Sequence, residues 1–174
     1  MSELLKKMQI QILIRAVSKS SNQKMKWVIF QPAKQALNIF ALYTMQAIQV
    51  SNDIEALKKS LYQNAYQIGR LCKRLLHASN ADLLRELIVV LYQNIGIRLQ
   101  WIDMHHFVVS ECYFSKYYSA DVCHVMSNMD AGIISGLLDT DYLQFSQRIT
   151  EGKPMCKACI GFCEVCSQGG VYDT

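Results

Sequence analysis

The chain has no apolar run that approaches the ~20 residues a membrane-spanning helix needs. Its amino terminus also lacks a secretory pattern. Lys6 and Lys7 are followed by Met8, Gln9, Ile10 and Gln11, not by a continuous apolar stretch and a small-residue cleavage site. The expectation from these absences is a cytoplasmic protein without a transmembrane segment. There is no P-loop and no helix-turn-helix signature, so any output has to pass through a partner protein. Charge is scarce too: 18% of residues are charged against 51% apolar, which is a globular composition and not a disordered one. At 174 residues the chain has the length of one domain and needs no disulfide to hold a core.

The charge that is present is unevenly placed. Net charge is +4, yet residues 1–34 alone carry +6, from Lys6, Lys7, Arg15, Lys19, Lys24, Lys26 and Lys34 against Glu3. Such a segment solvates a helix, or meets phosphates, acidic partners or an anionic membrane surface. The remainder is acidic and shows no recognised nucleic-acid module, so nucleic acid is not the expected partner.

Hydrophobic spacing divides the chain. Leu5, Met8 and Ile12, widened by Ile10, Leu13, Ile14 and Val17, predict a helix that the polar run 18–23 ends. Residues 1–24 read as a basic helix or arm. Residues 26–30 predict a short strand. Residues 32–49 are apolar nearly all round, as in a helix buried in a core or a dimer. Asn52 and Glu55 have capping-box spacing ahead of a long amphipathic helix through Leu75, with Gly69 marking close packing inside it. Asn80 starts another helix that ends near residues 94–96. Leu99, Trp101 and residues 107–112 predict two strands joined near 103–105. Residues 127–130 predict the start of a short helix, in which Gly132 and Gly136 leave a smooth face. Leu143, Phe145, Gln147 and Ile149 alternate as a half-buried strand, and 156–162 is its hairpin partner across a turn at 151–154. The expected class is α+β: about four amino-terminal helices on an antiparallel sheet, with an inserted short helix. The main domain spans 25–162, and 163–174 is a cysteine-containing tail.

Several stretches resemble the 4-vinyl reductase domain family: residues 61–70 (LYQNAYQIGR), residues 94–97 (NIGI), Cys123 followed by residues 131–136 (AGIISG), and residues 152–156 (GKPMC). The resemblance covers roughly 26–162. It implies a helical layer on a curled sheet, a homodimer, and a cavity for a small hydrophobic or aromatic ligand. The family is similar to ligand-sensing domains of aromatic-responsive activators, to subunits of the transport-protein-particle tethering complex, and to L-2-amino-thiazoline-4-carboxylic acid hydrolase-like proteins. The sensors' zinc pattern puts its first cysteine on Cys123 and its last on Cys156. Its two middle ligands fall on Phe145 and Arg148, which cannot serve. The hydrolase-like pattern expects a cysteine where Ser127 stands.

The cysteines also have a chemistry of their own. A cytoplasmic chain with seven of them is expected to hold thiols or metal ligands. Cys156 and Cys159, then Cys163 and Cys166, form two CxxC pairs. Two residues of spacing let both thiolates of a pair reach one ion, zinc or an iron–sulfur cluster. In a regular strand, however, Cys156 and Cys159 point to opposite faces. A split arrangement is the alternative: Cys123 with Cys156 inside, and Cys159, Cys163 and Cys166 outside. Buried cysteine is otherwise a small core residue.

Three functions follow as expectations. The first is a small-molecule sensor whose cavity is lined by Trp101, His106, Phe107 and Phe145. The second is a dimeric scaffold that assembles through the Gly132/Gly136 face and the basic arm. The third is a hydrolase with Cys112 or Cys123 as nucleophile, His124 as base and Asp130 in an acid–base or capping role.

Overall fold

The computed structural model describes residues 2–77, 80–140 and 142–161. Five α-helices and a four-stranded antiparallel sheet make it α+β. The helices are α1 (Glu3–Ser21), α2 (Ala33–Gln49), α3 (Ile54–Leu75), α4 (Ala81–Asn94) and α5 (Ala120–Leu138). The strands are β1 (Ile97–Trp101), β2 (His106–Cys112), β3 (Leu143–Gln147) and β4 (Cys156–Ile160). They lie in the order β1-β2-β4-β3, so the carboxyl-terminal strand fills the centre between two elements distant in sequence. No helix among the described residues is long and apolar enough to cross a membrane.

Side-chain caps fix where the helices begin. Asp53 accepts the Ala56 amide at 2.9 Å, and Asn80 accepts the Asp82 amide at 2.8 Å. The α3 cap is thus one residue later than the Asn52 expected. The inserted helix differs more. It starts at Ala120 under a Ser119 cap and runs 19 residues, so the expected short helix from 127–130 is the second half of a long one. Residues 26–30 form no strand. Val28 alone is buried there, with its amide held by Gln11 Oε1 at 2.7 Å.

The amino-terminal helix is not a detached arm. Ile10, Leu13, Ile14 and Val17 enter the same core as Phe40 and Tyr43 of α2, Leu61 of α3, Ile88 of α4, Ile134 of α5 and Phe107 of β2. The tightest contact is α3 against α5. A Cβ on Gly132 would lie 2.3 Å from the Tyr62 carbonyl oxygen, and one on Gly136 2.3 Å from that of Tyr66. These distances leave no room for a methyl group. The smooth face expected for assembly is therefore spent within the chain: α3 covers it, and Gly69 of α3 meets Gly136.

Candidate functional site

The long α5 decides the site, because it carries Cys123, His124, Ser127, Asn128, Asp130 and Ala131 past β3 and β4. Asp130 is not a cap or first-turn acid. It sits in the middle of α5, facing the interior, where Tyr92 of α4 donates to its Oδ1 at 2.9 Å. Burial raises its carboxyl from 3.8 to about 6, against the lowering by the Tyr92 hydroxyl and the Arg148 charge. At neutral pH the carboxylate is ionised, and these two groups are its compensation.

Three thiols share that interior. Burial raises Cys112 to about 12, and raises Cys123 and Cys156 as well. The sulfurs are near enough to act on one another: negative charge at Cys123 opposes ionisation of both Cys112 and Cys156, and Asp130 opposes all three. Cys123 and Cys156, from distant stretches of chain, thus come to one neighbourhood. Arg148 stands beside them and favours the charged form of Cys123, Cys156 and Asp130 alike. The Ile149 amide also donates to Cys156 Sγ at 3.4 Å.

This cluster does not fit the four-ligand zinc site that the resemblance implies. Arg148 places a fixed positive charge where a middle ligand would stand, and Phe145 offers no donor atom. Among the described residues no three of His, Cys, Asp and Glu converge as metal ligands. On β4, Cys156, Ala158 and Ile160 enter the core, whereas Cys159 takes the opposite face. Cys163 and Cys166 lie outside the described residues.

Nor does the geometry assemble the expected nucleophile and base. A thiol raised to about 12 is protonated at neutral pH, and Cys123 is shifted the same way. His124 adjoins Cys123 in sequence but turns to the surface, where its Nε2 lies 2.8 Å from Glu151 Oε1. Helical spacing explains this, because neighbours on a helix point about 100° apart.

Of the four residues expected to line a cavity, Trp101, Phe107 and Phe145 pack ring against ring. Phe107 is core, packed edge-on between Trp101 at 5.1 Å and Phe145 at 6.1 Å. Trp101 donates its indole N–H to the Arg85 carbonyl, and His106 pairs with Asp103 at the hairpin turn. Phe145 reaches an opening. A cleft of about 310 Å³ lies between α5 and β3, lined by His124, Ser127, Asn128, Ala131, Phe145 and Arg148, among others. Arg148 links it to the cluster just described, where its charge favours the ionised forms of Cys123, Cys156 and Asp130. The Arg148 guanidinium lies 5.0 Å from the Phe145 ring centre and 3.4 Å from Ser127 Oγ, and one of its nitrogens is 3.4 Å from Glu151 Oε1.

Sequence reasoning missed the roles of Arg148, Ser127 and Asn128. Arg148 was visible only as a residue that could not hold zinc. Its position at the end of the β3 alternation, next to the turn, is the signal that would have placed it at the mouth of the cleft. No family model matches the chain, no curated protein matches it, and no solved structure matches its fold. The resemblance to 4-vinyl reductase domains thus stays an expectation that rests on the motifs alone.

Proposed function

We propose that the protein binds a small planar molecule with an anionic group in the cleft between α5 and β3. One observation carries this reading. Phe145 and Arg148 form an aromatic floor and a cationic clamp in the same cleft, and the Arg148 charge also acts on the buried Asp130 carboxylate. A flat apolar body stacks on the Phe145 ring, and a carboxylate or similar acceptor meets the guanidinium. Arg148 suits this because its fork of donors pairs with planar anions in two bonds at once. Asn128 and His124 border the same opening. The volume holds a molecule of one ring, at the small end of ordinary ligand sites. This agrees with the aromatic ligand implied by the family resemblance and moves the site from the sheet interior to its edge.

The test is a thermal-shift and calorimetric series with benzoate, phenylacetate and toluene. Benzoate and phenylacetate are expected to raise the melting temperature more than toluene does. Arg148→Gln is expected to weaken benzoate by roughly 10- to 100-fold, the range for losing one hydrogen bond to a charged group. Phe145→Ala is expected to weaken all three compounds. Equal benzoate affinity in wild type and Arg148→Gln would reject the clamp.

A further inference from the structure

We propose that the outward face of α1, together with the loop that follows it, docks on the interface of an anionic lipid bilayer. On a solvated helix the outer face should be polar. Here the exposed positions are Leu4, Leu5, Met8 and Ile12, followed by Arg15 and Lys19. At 3.6 residues per turn these six side chains fall within roughly 100° of arc, one continuous stripe that is apolar in its first half and basic in its second. The opposite face is already used, since Ile10, Leu13, Ile14 and Val17 are buried in the core.

The loop between α1 and α2 widens the stripe. Gln11 holds it on both sides of Trp27: its Nε2 donates to the Lys26 carbonyl at 3.0 Å, and its Oε1 accepts the Val28 amide. Gln11 borders the stripe on the helix wheel, so Trp27 flanks it. Trp27 is 65% exposed and Phe30 87%, unusual values for aromatic side chains with this much core available. Exposed aromatics beside lysines are the composition of segments that lie in the headgroup region, with rings at the boundary and charges on the phosphates.

Charge selects the occupant. Residues 1–34 carry +6, and their single acid, Glu3, lies 3.3 Å from the Ala33 amide. A second copy of the chain would bring like charge against like charge. An anionic surface is complementary, at roughly a fivefold gain in affinity per lysine or arginine.

Cosedimentation of the full chain tests this with vesicles of phosphatidylcholine alone and of phosphatidylcholine mixed with phosphatidylserine. Trp27 emission is followed in a Trp101→Phe background. The mixed vesicles are expected to bind the protein and shift Trp27 emission to the blue, with binding lost as salt rises. Phosphatidylcholine alone should do neither. Arg15→Gln with Lys19→Gln should weaken binding roughly thirtyfold. Met8→Gln with Ile12→Gln should abolish the blue shift while leaving the melting temperature unchanged, since both side chains are exposed. Absence of binding to either vesicle, or equal binding to both, overturns the proposal. So does a concentration-dependent dimer that Met8→Gln with Ile12→Gln dissolves, which would give this face to a second copy.

Discussion

Replacing Asp130 with Asn is expected to stabilise the protein at pH 7 relative to wild type, by far more than at pH 4. The Asp130 carboxyl lies at about 6 in the fold and at 3.8 when ordinarily solvated. Its folded value is raised, so its contribution to stability is fully present below about pH 3.8 and is lost as pH climbs through 6. At 1.36 kcal/mol per pH unit, that interval costs wild type ~3 kcal/mol. Asparagine is neutral throughout and keeps an oxygen for the Tyr92 hydroxyl, so it escapes the loss. Urea unfolding of both proteins at pH 4 and pH 7 checks this. A wild-type-minus-variant difference that does not change between the two pH values would mean that Asp130 is not desolvated. The price of holding a carboxylate here is a physical reason to connect it with function, because strongly shifted titratable groups cluster at functional sites.

Gly136→Ala is expected to destabilise the fold by ~3 kcal/mol, at the upper end of what overpacking costs. This runs against helix propensity, by which alanine gains ~1 kcal/mol over glycine. The reason is the target of the clash. The added Cβ meets the Tyr66 carbonyl oxygen at 2.3 Å and the Arg70 amide nitrogen at 3.0 Å, both backbone atoms of α3 that cannot rotate away. The helices have to separate, and α5 carries Cys123, Asn128 and Asp130 with it. Gly152→Ala is the control. That glycine has nothing within 4 Å of a Cβ but a φ of +79°, so only local backbone strain is added, ~1–2 kcal/mol. Comparing the urea midpoints of the two variants separates helix contact from strain. If Gly136→Ala left stability unchanged while lowering self-association, the glycine face would be a surface between copies after all.

Much of this architecture was legible in the sequence, because α3, α4 and the strands follow hydrophobic spacing closely. Gly69, Gly132 and Gly136 announced a close backbone contact, although not that its two sides belong to one chain. The start of α5 was less legible. Ser127 and Asp130 imitate a helix start, and the real one, Ser119 with Asp121 in the first turn, follows directly on the aromatic run of residues 113–118. That shift of one half-helix changed the reading of Asp130 from a surface cap to an interior acid. Residues 26–30 look like a strand by composition. The chain there instead follows Gln11 along α1, leaving Trp27 and Phe30 outside, a tertiary outcome that local propensity does not encode. The opposition of Cys156 and Cys159 across β4 followed directly from strand alternation. Arg148 as a fixed cation among thiols did not, since it depends on β3 and β4 pairing beneath α5.

The most direct test of the ligand cleft is a backbone amide NMR titration of the full chain with benzoate. The account predicts saturable shift changes concentrated at Ser127, Asn128, Ala131, Phe145 and Arg148, absent in Arg148→Gln. Shift changes centred on Trp101 and His106, or none at saturating benzoate, would contradict it.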